Sequence, residues 1–392
     1  MDMKNVEKRF LRINKTLGLI TGVWPYQNPK IKIIVQIFTL GIMFTGTFTQ
    51  TAHIVMFPSV DSIVDGIAYY IAVSGTFVKV GNYVVNESKL KPMLTQIFND
   101  WAAINTKDEY DIMVSYSRKG SLVALGYFLH LFCAVVSFIF FCMIPPVLDI
   151  IVPLNESRKR LFIYPAYYWV NSEEYYMLII GHMTIICGLL VCIFCACDTN
   201  YVYAVQHACG LLAIARHRFG NVCKNLPSPD EGDDIEMSEE VQYKNVCHSI
   251  KAHQHAIKYL QIIENSHHTY LFISMGMLIT AVSVSLLKVA GRHDNTQWMM
   301  YFMFLLAQLF HVFVLTVQGQ FVINALDDIS IAIYESPWYK LTPRTRLLYV
   351  LSLRCCLKPP LLTAGGLITL SLRSFAEIIK ASVSYYTVMQ ST

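Results

Sequence analysis

Apolar residues in this chain are concentrated in seven long stretches separated by more polar segments. The stretches are residues 33–54, 64–85, 121–144, 176–197, 266–288, 298–318 and 361–390. Each holds about 20 residues or more, enough for an α-helix to cross about 30 Å of hydrocarbon. The pattern predicts an all-α polytopic membrane protein with seven transmembrane helices.

Lys and Arg are distributed unevenly around these stretches. The segment up to Lys32 and the loops 86–120, 198–265 and 319–360 hold 23 of them. The alternate segments 55–63, 145–175 and 289–297 hold 5 when Lys288, at the boundary of its stretch, is included. Because positive residues remain on the cytoplasmic side, the N-terminus is predicted to be cytoplasmic and the C-terminus extracellular. That orientation is the reverse of a G-protein-coupled receptor.

The composition agrees with a membrane protein. Hydrophobic residues make up 54% of the chain and charged residues only 15%, whereas soluble domains carry about 25% charged residues. The net charge of +4 lies mainly in the predicted cytoplasmic segments, where it suits an anionic leaflet of the plasma membrane. We expect lipid as a partner and have no reason to expect nucleic acid.

The predicted outer loops are short. None could fold as a ligand-binding domain, so a ligand site is expected within the helices. In the loop 145–175, Pro145 and Pro146 are expected to break the helix, and Asn155 begins a glycosylation sequon. On the cytoplasmic side, Thr342-Pro343 is a typical helix start, and a helix is predicted over 344–357.

Sequence motifs of enzymes and metal sites are weak in this chain. Cys192 and Cys195 form a CxxC within an apolar helix, where packing is the better interpretation. His248, His253 and His255 match no zinc spacing. Neither a nucleophile elbow nor a phosphate loop occurs, so the sequence predicts no enzyme, no cofactor and no metal.

The seventh stretch is unusually polar. It contains Arg373, Glu377 and Lys380, whose spacing allows pairing on one helix face. Ionisable groups inside a membrane normally face protein or water. Three interpretations remain open at this point: a helix buried in the bundle with self-satisfied charges, a helix that lines an aqueous path, or span boundaries that are set wrongly.

Several motifs in the second half of the chain resemble those of insect odorant receptors. The C-terminal ones are Tyr334, Trp338-Tyr339, Lys358-Pro359, Leu361-Leu362-Thr363-Ala364-Gly365, Leu370-Ser371, Phe375 and Ser384-Tyr385-Tyr386-Thr387. Upstream ones are Asp198-Thr199, Tyr201-Val202-Tyr203, His207 and Gly210. Length, span number, inverted topology and the missing ectodomain are also similar to that family.

The resemblance implies a subunit of a ligand-gated, non-selective cation channel in which four subunits surround one pore. It implies a heterotetramer with a shared co-receptor, small volatile odorants as ligands, and location in the sensory dendrite of olfactory neurons. It divides the single 1–392 domain into a cytoplasmic N-terminus (1–32), six spans (33–318), cytoplasmic anchor helices (319–360) and a pore-lining helix with a short outer tail (361–392). The loop between the fourth and fifth spans has ordinary length, which favours a ligand-selective tuning subunit over the co-receptor.

The resemblance also implies an odorant pocket in the outer half of the second, third, fourth and sixth spans. Aromatic side chains there offer contact area, and hydroxyls offer directional hydrogen bonds. The candidate ligand-binding residues are Tyr69, Tyr70, Val73, Ser74, Phe77, Ser137, Phe138, Phe141, Met177, Gly181, Thr184, Tyr301, Phe302, Phe304 and Leu305.

The pore constriction implied by the resemblance falls at Val388 in the last helix. Ser384 and Ser391 share its helix face. An apolar ring can close a pore by dewetting. The alternative functions are a gustatory-type receptor channel, which shares this architecture, and a seven-helix G-protein-coupled receptor, whose Asp-Arg-Tyr and Asn-Pro-x-x-Tyr motifs are missing here.

Overall fold

The computed structural model describes residues 3–153, 158–222, 235–291 and 295–391, and these fold almost entirely as helices. The elements are α1 (Met3–Arg9), α2 (Arg12–Thr21), α3 (Pro29–Met56), α4 (Val60–Val85), α5 (Glu87–Ala103), α6 (Lys107–Ile151), α7 (Tyr176–Asn221), α8 (Ile235–Ala290), α9 (Asn295–Glu335), α10 (Pro343–Cys356), β1 (Thr363–Ala364), β2 (Ile368–Thr369) and α11 (Leu372–Ser391). Asn155, the predicted glycosylation site, lies outside the described residues.

Six of these helices, α3, α4 and α6 to α9, are long and apolar enough to cross a membrane. They coincide with the first six predicted stretches. α11, within the seventh predicted stretch, is a 20-residue helix that is more polar than the others and is not one of these six. The all-helical architecture predicted from hydropathy is confirmed.

α7 is the central helix of the bundle. It packs against α2, α6, α8 and α9, and residues 193–215 are buried without a break. Its 46 residues correspond to a length of about 69 Å, roughly twice the thickness of a bilayer core. The helix therefore continues well beyond its apolar stretch, 176–197.

The expected helix break at Pro145 and Pro146 is wrong, because α6 continues through both residues to Ile151. A proline has no N–H, so Pro146 leaves the carbonyl of Cys142 without its helical donor. The Tyr176 hydroxyl donates a hydrogen bond to that carbonyl at 2.6 Å. A side chain of α7 thus replaces the missing backbone bond, and the helix continues.

The seventh stretch does not form one helix over 361–390. β1 and β2 form a small antiparallel hairpin before α11, with Thr363 opposite Thr369. The turn is possible because Gly365 and Gly366 both have positive φ, of 66° and 73°. Thr363 N–H donates to Glu264 of α8 at 2.8 Å, and Gly365 N–H donates to the His268 carbonyl at 2.9 Å. The hairpin therefore fixes the start of α11 to α8.

The helix predicted over 344–357 is α10, which begins one residue earlier, at Pro343. Thr342 precedes it with extended backbone, as expected at a helix start. α10 packs against α8 and α9. Its Tyr349 hydroxyl donates to the carbonyl of Phe219 in α7 at 3.1 Å. One end of the bundle is formed by α5, α10 and the parts of α7, α8 and α9 that extend beyond their apolar stretches. We call it the anchor end. It lies opposite to the aromatic cluster described below.

Candidate functional site

A partly open cavity lies between five helices, α4, α6, α7, α8 and α9. Its volume is ≈ 90 Å³, measured over positions open to the centre of a water molecule. The lining residues are Ala68, Ile71, Ala72, Gly75, Lys79, Leu131, Leu190, Phe194, Ser274, Met277, Leu278, Ala281, Phe304, Ala307, Gln308 and His311. The wall is mostly apolar, and its polar groups are few, as in typical small-molecule sites.

One end of the cavity is closed by an aromatic cluster. Phe304 lines the cavity and stacks on Tyr69, with ring centroids 4.4 Å apart. Phe138 meets both rings edge-on, at 6.2 Å from Phe304 and 6.5 Å from Tyr69. Offset-stacked and edge-to-face rings are favourable geometries. Three of the predicted ligand-binding residues therefore form one packed unit at the cavity.

Of the fifteen predicted residues, only Phe304 is among those that line the cavity. Phe141 and Tyr301 pack against the aromatic cluster, while Val73 and Phe77 belong to the larger core. Leu305 is buried, and five further predicted residues are partly buried: Tyr70, Ser74, Ser137, Thr184 and Phe302. Met177 and Gly181 lie on the exposed face of α7 and are not brought to the cavity.

The sequence-based set omitted the fifth span, although α8 forms a full side of the cavity. Ser274, Met277, Leu278 and Ala281 all line it. Their spacing of three and four residues defines one helix face. That spacing was visible in the sequence, but nothing there distinguished a cavity face from an ordinary core face.

The second end of the cavity is ionic. Lys79 Nζ lies 2.5 Å from Asp198 Oδ1, and the two side chains are 3% and 0% exposed. The hydroxyls of Tyr127 and Tyr270 donate to the same carboxylate at 2.6 and 2.7 Å. His311 Nε2 is 3.1 Å from Asp198 Oδ2. Groups from α4, α6, α7, α8 and α9 thus meet at one buried carboxylate, as a charge in this environment requires.

The last helix presents its charged residues outward. Ser374, Ile378 and Ser382 face the bundle and are buried. Arg373 and Glu377 form an ion pair of 2.9 Å on the opposite face, with side chains 89% and 58% exposed. The interpretation in which these charges are buried inside the chain's own bundle is therefore wrong.

Ser384, Val388 and Ser391, the candidate pore residues, lie on the exposed side of α11. Val388 is 61% exposed. Its side chain therefore does not pack into the core of its own chain, and this helix face is accessible to a neighbouring subunit or to an aqueous path.

α8 connects the cavity to the last helix. It supplies cavity residues from Ser274 to Ala281, and between them the carbonyl of Ile279 lies 3.5 Å from the hydroxyl of Ser382 of α11, which donates to the Ile378 carbonyl of its own helix at 2.9 Å. The hairpin bonds to Glu264 and His268 lie further along the same helix. A displacement of α8 at the cavity would therefore reach α11 through direct contacts.

A second carboxylate organises the anchor end. Asp100 of α5 is bonded by His207 of α7 and His255 of α8, each with Nε2 at 2.8 Å. Burial tends to raise the pKa of Asp100, but the hydrogen bonds from His207 and His255 outweigh it and hold the pKa well below its usual value. The bond to Asp100 raises the pKa of His255. Three helices are therefore held together by one ionised group.

No group of three or more His, Cys, Asp or Glu side chains suited to a metal ion occurs in the parts of the chain that the structure describes.

Solved structures with the same fold include an insect olfactory receptor. The chain superposes on OR5 from Machilis hrabei in complex with eugenol with a TM-score of 0.78, at 14% identity and with 99% of each chain covered. A second structure of the same receptor gives a TM-score of 0.75. At this identity the likeness establishes the fold.

Curated relatives are odorant receptors of Drosophila melanogaster. Odorant receptor 13a is 21% identical over 81% of this chain and 78% of its own length. Odorant receptor 33a is 23% identical, over 40% of this chain, and Odorant receptor 2a is 25% identical, over 59% of this chain. The chain spans 42% and 59% of the lengths of these last two. None of the three is an enzyme.

A sequence model of the 7tm Odorant receptor family matches residues 59–383, which is most of the chain. The match favours this family over the two alternative functions, a G-protein-coupled receptor and a gustatory-type receptor channel. It also confirms the resemblance noted in the C-terminal motifs. The chain is therefore a multi-pass membrane protein that belongs to the 7tm odorant receptor family.

Proposed function

We propose that this chain is the ligand-selective subunit of an odorant-gated, non-selective cation channel formed with a shared co-receptor in a heterotetramer. The observation that carries the proposal is the path from the cavity through α8 to the exposed polar face of α11. A small, mostly apolar volatile molecule binds in the cavity beside Phe304. The pore is lined by α11 and conducts cations across the plasma membrane of the sensory dendrite.

The proposed orientation places the N-terminus and the anchor end in the cytoplasm and the C-terminus outside. The excess of Lys and Arg at the anchor end supports it. The aromatic cluster then lies in the outer half of the membrane, where a ligand from outside arrives first. Epitope tags at both termini of intact cells test this: only the C-terminal tag should bind antibody without permeabilisation.

Gating follows from differential affinity. A ligand opens the pore only as far as it binds the open arrangement more tightly than the closed one. The cavity side of α8 changes contacts when a ligand enters, and the packing of α11 on α8, where the Ser382 hydroxyl lies 3.5 Å from the Ile279 carbonyl, transmits the displacement to α11. Val388 then leaves the constriction, and water re-enters the pore.

The function is tested by whole-cell current in cells that express this chain with and without the co-receptor, under a panel of volatile odorants. A fast inward cation current that requires both subunits is expected. Current from this chain alone would contradict the obligate heteromer. Absence of current with the chain at the cell surface, under every odorant, would contradict the proposed function.

The pore assignment has a sharper test in paired cysteine variants. Val388→Cys should make the odorant-evoked current sensitive to block by a charged, membrane-impermeant thiol reagent. Val383→Cys is the matched control, since Val383 is also exposed, at 42%, but lies about 140° around the helix from Val388. Equal block of both variants would contradict a pore face centred on Val388.

A further inference from the structure

Gln308 is one of two polar residues of the cavity, with His311, that have buried side-chain atoms without a hydrogen-bond partner among the described residues. It belongs to α9, lines the cavity and is 7% exposed. Across the described part of the chain, neither its Nε2 nor its Oε1 has a hydrogen-bond partner. A buried amide without partners costs free energy. Its retention in an apolar wall therefore points to a partner that is not part of this chain.

The neighbouring polar groups cannot serve as that partner. Lys79 is bound to Asp198 and to the Tyr270 hydroxyl, at 2.5 and 2.6 Å. His311 faces the same carboxylate at 3.1 Å. Lys79 is thus bound within the ionic end of the cavity, whereas His311 Nε2 lies close to Asp198 but makes no hydrogen bond with it or with the Gln308 amide. The amide of Gln308 lies one helical turn from Phe304 on the same face of α9, between the aromatic end and the ionic end.

The chemistry of the amide defines the ligand that completes it. A primary amide offers two N–H donors and one carbonyl acceptor. A neutral hydroxyl can both accept from Nε2 and donate to Oε1, a ketone or ester carbonyl can only accept, and a hydrocarbon can do neither. A free carboxylate would be desolvated beside Asp198, whose charge Lys79 already balances, and that transfer is expensive.

We propose that Gln308 selects the ligand class: small neutral molecules with an apolar body and a single oxygen group, with alcohols bound more tightly than ketones or esters and these more tightly than hydrocarbons of equal length. This inference rests on the proposed function only in taking the cavity as the odorant site. The apolar body lies against Phe304 and Leu278, and the oxygen contacts the Gln308 amide. The discrimination arises because a hydrocarbon leaves the amide unpaired.

The experiment compares a six- to eight-carbon alcohol, ketone and alkane of equal length on wild type and on Gln308→Met. Methionine keeps the length of the side chain and removes the amide. Two readouts are used: the odorant-evoked current with the co-receptor, and the ligand-induced shift in the unfolding temperature of the purified full chain. Wild type should prefer the alcohol to the alkane by about tenfold or more in affinity, which is the scale of one buried hydrogen bond. Gln308→Met should lose most of this ratio and bind the alkane at least as well as wild type.

Gln50→Met is the matched control. Gln50, on α3, is 2% exposed and its amide is likewise without a partner among the described residues, but it does not line the cavity. Its variant should keep the wild-type ratio. An equal alcohol-to-alkane ratio in wild type and Gln308→Met would overturn the inference, even where currents are present. A ratio that depends on Gln308 in the unfolding assay without any current would uphold the inference and overturn the channel function instead.

Discussion

α7 and α11 both carry polar residues in a membrane protein, but they satisfy these residues in opposite ways. Asp198 of α7 is completely buried, and it is surrounded by Lys79, two tyrosines and His311 of other helices. α11 buries only small residues and a single isoleucine and leaves Arg373 and Glu377 on its exposed face. Polar residues whose partners belong to the same chain stabilise one subunit. Polar residues on an exposed face are available for contacts within an assembly of subunits.

The largest test of this contrast is Lys79→Met. The substitution leaves Asp198 buried and without its cation, which should lower the free energy of unfolding by about 3–5 kcal/mol. Thermal and denaturant unfolding of the purified chain in detergent measures it. Lys79→Met/Asp198→Asn removes both charges and should recover a large part of the loss. Wild-type stability of the single variant would mean that this ion pair does not stabilise the core.

The contact between the bundle and the hairpin before α11 is tested by Gly319→Ala. A Cβ at Gly319 of α9 would lie 2.0 Å from the Leu370 carbonyl oxygen, a backbone atom that cannot rotate away. Overpacking of this kind costs about 1–3 kcal/mol, more than the helix propensity gained from alanine. We expect a lower unfolding temperature and, with the co-receptor, an altered dose–response curve, because the hairpin fixes α11.

Gly188→Ala is the control, because nothing lies within 4 Å of a Cβ at that position of α7. It should be neutral or slightly stabilising. If both variants behave alike, close packing at Gly319 is not what holds the hairpin.

The difference between the two helices also explains what the sequence could predict. Hydropathy located α3, α4 and α6 to α9, because each crosses about 30 Å of hydrocarbon and must be apolar over that length. It did not locate the Lys79–Asp198 pair, since the two residues are 119 positions apart and only tertiary packing brings them together. An isolated lysine within an apolar span was the available signal, and a partner for it could have been sought.

The prediction of one continuous helix over the seventh stretch was wrong, and the reason is local. Residues 361–370 are as apolar as the start of a span, so hydropathy continued the helix through them. Gly365-Gly366 was the signal for a turn, and both residues adopt positive φ. Similarly, α1, α2 and α5 could not be recognised by a search for long apolar stretches, because they are short or amphipathic. The cavity-lining residues of α8 could not be predicted, because hydropathy does not show which helix face lines a cavity.

A smaller effect is expected at the anchor end, where Asp100 pairs with His255. Because its pKa is raised, protonated His255 contributes stability that is fully present below about pH 6.5 and is lost as pH rises through the raised value. Asp100, with a lowered pKa, contributes above about pH 4 and loses its contribution only at stronger acidity. The pair is therefore strongest from about pH 4 to 6.5.

In wild type, the unfolding temperature should fall between pH 6 and 8 as His255 loses its proton. His255→Gln should make this fall smaller. The effect should be below about 1 kcal/mol, because the His255 side chain is 41% exposed. Lys258 repels the protonated imidazole, and His207 and Gln96 bond the same carboxylate. In an Asp100→Asn background, His255→Gln should make no further difference to the pH profile. A persistent difference would assign the pH dependence to another group.

The smallest expected change in stability belongs to Arg373→Ala on α11. The pair with Glu377 is an exposed i,i+4 contact, so its loss should change the free energy of unfolding of the single chain by less than about 0.5 kcal/mol. The same residue stands in a helix predicted to lie in the membrane, where a charge must face water or protein. Its effect should therefore appear in the assembled channel, as a changed current amplitude at equal surface expression. Lys119→Ala, which removes a cation of α6, is the control for general effects of charge removal. If Arg373→Ala left both stability and current unchanged, the exposed face of α11 would contact neither pore nor subunit, and the contrast with α7 would be one of exposure alone.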